Sequence, residues 1–253
     1  MQGWRARVGL IVPHVNAVME PEFNSYAPDG LGVYAARMSI PTLSADGLVA
    51  MRQNLTGALD SLAELGAAVT VFGCTSGSFV RGSDYDKTII EEMAARTGQP
   101  AITTSTALRI AIRTIGARNV SVATPYSDEL NRRLASFIEE DGVEVLSCRG
   151  LDLPARSPHY PLADTPVSHI GLQHPELVYR LARASFTEGS DALVVSCTNL
   201  NTLSVIDALE ADLGVPVVTA NQATFWLALH LARVQQPPGG PGSLLTHTPE
   251  WTL

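Results

Sequence analysis

Residues 71–80 read VFGCTSGSFV and residues 194–203 read VVSCTNLNTL. Each is a short apolar run that ends in Cys-Thr. The chain has only three cysteines, and two of them fall in this one local pattern. The neighbours match as well. RVGLIVP (7–13) parallels NVSVATP (119–125), and GQPAITTSTALRIAI (98–112) parallels GVPVVTANQATFWLAL (214–229). The starts pair as 7 with 119, 71 with 194 and 98 with 214, giving offsets of 112, 123 and 116 residues. Three segments repeating in one order at a nearly constant offset predict two similar half-domains related by a pseudo-twofold axis.

Short β-rich runs alternate with longer helical patterns. Strands are expected at Val8–Val12, Gly32–Met38, Ala68–Phe72, Ala101–Thr103, Val120–Ala123, Val143–Ser147, Ala192–Ser196 and Val215–Thr219. Their lack of polar alternation predicts parallel strands covered by helices on both faces. The Ala50–Leu65 stretch has a helical apolar stripe at Met51, Leu55, Ala58, Leu59 and Leu62 and is closed by Gly66; Glu129–Glu140 is closed by Gly142. The expected fold class is α/β, two half-domains each with a parallel sheet of about four strands flanked by helices, with the site in the cleft between them. The first half comprises 1–107 plus 222–253 and the second 108–221, the last helix returning to the first half.

Composition narrows the function. Of 253 residues 45% are hydrophobic and 17% charged, enough apolar material for a substantial core. The net charge of -8 argues against nucleic acid, which needs clustered Lys and Arg on phosphates. No apolar run is long enough to span a bilayer, and Val8–Val12 is too short for a signal-peptide core. A cytoplasmic, reducing setting with free thiols is therefore expected. No CxxC, HExxH or Cys/His cluster appears, so no metal is expected.

In parallel α/β sheets ligands bind beyond the carboxyl ends of the strands. Four loops stand there: the first carries His14 and Asn16, the second Cys74, Thr75 and Ser76, the third Tyr126, and the fourth Cys197, Thr198 and Asn199. The repeat thus predicts two thiols facing each other across one pocket. One thiol, its pKa lowered at a strand-to-helix turn, would act as base or nucleophile. The other would deliver a proton from the opposite face. Turn amides and the Thr, Ser and Asn side chains would cradle a carboxylate.

Other readings stand beside these. Asn16 either contacts substrate or shapes a turn and caps the next helix. Tyr126 either lines the pocket or is a core aromatic. His14 either tunes Cys74 or is a solvated loop residue. Cys148 is read as a small buried hydrophobe, and Glu20 and Glu22 as acidic residues complementing a helix N-terminus.

VGLIVPHVNAVMEPE, FGCTSGSFVRG, TTSTALRIAIRTIGARNVSVATPYSDELNRRL and SDALVVSCTNLNTLSVIDALEADLGVPVV carry a resemblance over essentially the whole chain. They resemble the aspartate/glutamate racemase superfamily, in its maleate isomerase and arylmalonate decarboxylase branch. In that decarboxylase the first cysteine position is glycine; here both positions are cysteine, as in the racemases and isomerases. The resemblance implies catalysis by Cys74 and Cys197, and an Asn16 that binds substrate. It also implies carboxylate contacts from Thr75, Ser76, Tyr126 and Thr198, no cofactor, and a homo-oligomer. Val167, with Ser168 and His169 beside it, stands where maleate isomerases carry a further substrate-binding Asn. The activity implied is a cofactor-independent isomerase or racemase acting beside a carboxylate of a small carboxylic or dicarboxylic acid. An amino-acid or hydroxy-acid racemase, an arylmalonate-type decarboxylase, an ectoine-utilisation-type protein and a non-catalytic small-acid binding protein are the alternatives.

Overall fold

A computed structural model of the chain describes residues 3–42, 44–150, 166–235 and 239–250. The first half runs β1 (Ala6–Pro13), α1 (Met19–Ser25), β2 (Leu31–Met38), α2 (Ala45–Met51), α3 (Leu55–Leu62), β3 (Val69–Phe72), α4 (Thr75–Phe79), α5 (Ser83–Thr97), β4 (Ala101–Thr103) and α6 (Thr104–Thr114). The second runs β5 (Asn119–Thr124), α7 (Asp128–Glu139), β6 (Glu144–Gly150), α8 (Pro166–Gly171), α9 (Pro175–Ala184), β7 (Ala192–Val195), α10 (Ile206–Leu213), β8 (Val217–Thr219) and α11 (Ala220–Leu231). The sheets have the orders β2-β1-β3-β4 and β6-β5-β7-β8, with every pairing parallel. All eight expected strands are present, and the two orders are equivalent under the sequence repeat.

β3 and β7 are fully buried and, Thr70 apart, apolar on both faces, as helix-covered parallel strands must be. β6 departs from the expectation of two covered faces: its side chains are largely exposed or half-buried. It is an edge strand, and its register against β5 skips Leu146, leaving that side chain exposed. The polar Glu144, Ser147 and Arg149 already mark this edge.

The expected helix over Ala50–Leu65 is instead α2 and α3 joined by a single-turn 3-10 segment, Arg52–Asn54. α2 starts earlier because the Ser44 side chain accepts from the Gly47 amide and caps it. At the junction the Asn54 side chain donates to the Ser39 carbonyl. The predicted stripe survives: Met51, Leu55, Ala58, Leu59 and Leu62 are all buried, and Gly66 ends the segment at φ 63°.

α11 ties the halves together. A reciprocal capping box between Thr219 and Gln222 starts it straight out of β8. Ala220 through Leu229 are all buried, as a helix apolar around its whole circumference must be. It packs on α6, β3 and β4, and Phe225 meets Phe23 of α1 edge-on at 5.1 Å between ring centroids. The proposed division at residues 107 and 108 falls inside α6. In the tail, the His247 carbonyl accepts from Trp226 Nε1.

Candidate active site

Both cysteines stand where a strand ends. β3 stops at Phe72, and Gly73 turns the chain so that Cys74 becomes the N-cap of α4. A Cβ on Gly73 would lie 2.6 Å from Met19 Sδ and 2.9 Å from Val12 Cγ1, so only glycine lets the first loop close over this turn. A Cβ on Gly77 would lie 3.0 Å from Cys74 Sγ; its absence keeps the Gly77 amide, which bonds the sulfur, in reach. The Ser76 hydroxyl lies 4.0 Å from the same sulfur. In the other half Cys197 follows β7, and its sulfur accepts from the Asn199 amide at 3.4 Å.

One cavity joins these loops. It is lined by Pro13, Val15, Asn16, Ile40, Cys74, Thr75, Ser76, Tyr126, Ile170, Cys197, Thr198 and Asn199. The structure therefore brings every named site residue except His14 to one cleft, from loops after β1, β2, β3, β5 and β7 and from α8. The thiols are nearly closed off, at 5% and 6% exposure. The cavity measures about 30 Å³, room for about one water molecule.

Several of these side chains are committed to one another. Asn16 Oδ1 accepts from the Val18 and Met19 amides, each at 3.0 Å, which is the turn-shaping alternative. Its Nδ2 donates to Thr198 Oγ1 at 3.0 Å, and Thr198 Oγ1 donates to the Gly73 carbonyl at 3.1 Å. Asn199 Oδ1 accepts from the Ala17 amide at 3.0 Å and its Nδ2 donates to the Val15 carbonyl at 3.5 Å. Asn16, Thr198 and Asn199 thus pin the first loop of one half to the Cys197 loop of the other. The Thr75 hydroxyl, by contrast, is buried with no hydrogen bond of good geometry, the Tyr126 phenol being its polar neighbour. A buried donor held this way costs stability until a ligand takes it.

The thiols are not activated in this closed state, contrary to the expected lowering at the turn. Burial pushes Cys74 up to about 11, moderated by the Gly77 amide and the Ser76 hydroxyl. Burial pushes Cys197 up to about 12, against the Asn199 amide and Tyr126. Burial, then the nearby Cys197 and Cys74 sulfurs, holds the Tyr126 phenol well above its ordinary value. Desolvation outweighs the few amides that α4, barely more than one turn, offers Cys74.

His14 is exposed and its Nδ1 accepts from the Ile40 amide at 3.1 Å, so it braces the segment bearing Ile40 and does not line the cavity. Cys148 is half-buried on the β6 edge with its sulfur 3.6 Å from the Asn131 carbonyl, remote from the cavity lining. Glu20 pairs with Arg37 at 2.8 Å. Val167 lies in α8, but its side chain and that of Ser168 are outside the described residues. Four wall residues escaped the sequence reading: Pro13 and Val15 on either side of His14, Ile40 just beyond β2, and Ile170 on α8. Ile40 was findable, since it follows a predicted strand end; Ile170 sits three residues past the divergent Val167. Among the described residues no three His, Cys, Asp or Glu side chains gather as a metal site.

Comparison with known proteins gives this geometry a lineage. An arylmalonate decarboxylase from Bordetella bronchiseptica is 32% identical over 227 residues, covering 89% of this chain and 90% of that one. A maleate isomerase from Nocardia farcinica is 26% identical, covering 94% and 95%. The crystal structure of a maleate isomerase variant from Pseudomonas putida S16 with maleate superposes with a TM-score of 0.85 at 25% identity, covering 95% and 97%. The family model described as arylmalonate decarboxylase matches residues 8–245. The chain, with a cysteine on each side of its cleft, belongs to the arylmalonate decarboxylase family.

Proposed function

We propose that the protein is a cofactor-independent, maleate isomerase-like enzyme acting on a small unsaturated dicarboxylic acid. The observation that carries this reading is the meeting of Cys74 and Cys197 in one cavity, each from the equivalent loop of its half. Maleate isomerases match nearly the whole chain, and one of them has been solved with maleate. Cys74 is the nucleophile: it caps α4, and its sulfur receives the Gly77 amide with the Ser76 hydroxyl beside it. Its thiolate forms a C–S bond at one olefinic carbon, and the π electrons move toward the carboxylate on the other. Cys197 donates its proton to that second carbon, leaving a single bond about which the adduct rotates. Cys197 then removes the proton, the double bond re-forms, and the Cys74 thiolate leaves from the trans acid.

Thr75, Ser76 and Tyr126 hold carboxylate oxygens through hydroxyl donors, with Thr75 the one left poorly bonded for that purpose. Among the described residues no Lys, Arg or His lines the cavity; the groups there that can meet an anion are hydroxyls and amides. Asn16 has one N–H beyond its bond to Thr198 to offer the substrate. The same reading places the enzyme in the cytoplasm as a homo-oligomer, which light scattering on the purified protein checks.

A second reading, arylmalonate-type decarboxylation through Cys197, is favoured by the 32% identity to the decarboxylase. Cys74 weighs against it, because a second thiol has no task there. Proton NMR of the protein with maleate and, separately, phenylmalonate in deuterated water separates the two. Fumarate growing from maleate supports the isomerase; a monoacid carrying deuterium at its α-carbon and no fumarate would replace it with the decarboxylase.

A further inference from the structure

Glu22 does more than complement a helix N-terminus. It lies in α1, partly buried, and reaches into the other half. Its Oε1 accepts from the Thr202 amide at 2.7 Å and the Leu203 amide at 2.9 Å. Its Oε2 accepts from Asn221 Nδ2 at 2.5 Å. Asn221, fully buried in the first turn of α11, uses the same nitrogen to donate to the Thr198 carbonyl at 3.1 Å. Both neighbours are acceptors, so this amide has one orientation that satisfies them, and it leaves Asn221 Oδ1 without a partner. Thr198 carries the link on to Gly73 through its hydroxyl. A continuous path thus runs from Glu22 through Asn221 and Thr198 to Gly73, touching the residue next to each thiol.

The Cys197 loop needs such ties. Cys74 is followed at once by α4, whose own bonds fix the turn, whereas no helix follows Cys197 until Leu203. We propose that Glu22 is a positioning residue, clamping the Thr198 carbonyl through Asn221 and so setting where the Cys197 thiol stands against Cys74. This rests on the reading of Cys197 as the proton-transferring group. Burial pushes the Glu22 carboxyl up to about 7, against the three N–H groups it accepts. Tyr26 feels both Glu22 and Asp207; Glu20 shares the helix, and the elements packed on α1 carry Tyr34 and Arg37 on β2 and His230 at the far end of α11. A carboxylate accepts these bonds more strongly than the protonated acid does. Desolvation outweighs that gain, as the raised carboxyl shows, so ionisation favours the opened, solvated loop and the clamp loosens as pH rises through the Glu22 titration.

Peptide-resolved iodoacetamide labelling tests the clamp without substrate. The Cys197 rate is divided by that of Cys148, whose thiol burial also holds at about 12, so gain of thiolate with pH cancels in the ratio. In the wild type the ratio is expected to rise roughly threefold from about pH 6 to about pH 8 as Glu22 ionises. Glu22→Gln, close in size and still able to accept from the amides, is expected to flatten that profile. Glu22→Ala is expected to raise the ratio roughly tenfold at about pH 6. A flat wild-type profile, or a Glu22→Gln profile equal to the wild type's, overturns the clamp whether or not the alanine variant folds. Because labelling needs no turnover, maleate isomerised by a wild type with a flat profile would sink the clamp alone. A pH-dependent ratio in a protein that turns over no acid would sink the isomerase reading alone.

Discussion

The two halves share a strand order and a Cys-Thr turn, yet they treat their cysteines differently. In the first half, Cys74 caps α4, receives the Gly77 amide and sits beside a serine hydroxyl. In the second, Cys197 precedes an irregular turn held from outside by Asn16, Asn221 and Glu22. Burial dominates both and pushes each thiol well up, so the halves differ in the partners they supply and not in the acidity they leave. Symmetry supplies a pair of like groups; the asymmetric surroundings divide the work. Both sulfurs receive a backbone amide, so the division rests on position: α4 fixes Cys74 from within its own half, and ties from the other half fix Cys197, the group that must give and take a proton.

The strongest test of that division removes the thiols one at a time. Cys74→Ser and Cys197→Ser should each lower fumarate formation by about a thousandfold or more, read by proton NMR. Intact-mass measurement on the two variants then sharpens the comparison. An adduct of one maleate equivalent should form in Cys197→Ser and be absent from Cys74→Ser; the reverse pattern would exchange the two roles.

Next in size is the pH dependence. With Cys74 raised by burial, turnover at saturating maleate should climb about tenfold per pH unit between about pH 7 and about pH 9. A flat profile would mean that substrate binding itself ionises the thiol. The linkage to stability has the opposite sense. The folded state keeps its thiol protons while the unfolded chain loses them above 9, so folding stability should fall between 9 and about 11. Urea titrations across that range check it, and Cys74→Ser should blunt the loss.

Smaller effects test the polar groups around the thiols. Thr75→Val should raise KM about thirtyfold, the cost of one hydrogen bond to a charged oxygen, while leaving the urea midpoint unchanged or higher because a poorly bonded buried hydroxyl has gone. Asn199→Ala should do the reverse. It loses the bonds to Ala17 and Val15 and should cost about 1–3 kcal/mol of stability with little change in KM. A large KM effect at unchanged stability would move Asn199 from loop staple to substrate contact.

Much of this arrangement was legible before any coordinates. The eight strands follow from apolar runs bounded by turns, and the pairing of Cys74 with Cys197 follows from the repeat of neighbours around them. Where the reading slipped, a contact between distant segments had intervened. Helix Ala50–Leu65 breaks in the segment where Asn54 reaches Ser39, β6 is exposed because it closes an edge, and Glu22 reaches across the halves instead of serving its own helix. Ile40 and Ile170 meet in one wall only because the two sheets face each other.

By itself, then, the sequence determined the alternation of strand and helix, the doubling of the fold and which residues stand at strand ends. These are local or periodic properties, carried by side-chain pattern and turn chemistry. Only the tertiary structure decided the acidity of the thiols, the poorly bonded state of Thr75 and the commitments of Asn16 and Asn199. Each depends on how much water is excluded and which partners arrive from elsewhere in the chain. VFGCTSGSFV specifies a turn that presents a cysteine; the closing of two halves over it leaves that cysteine a protonated, desolvated thiol.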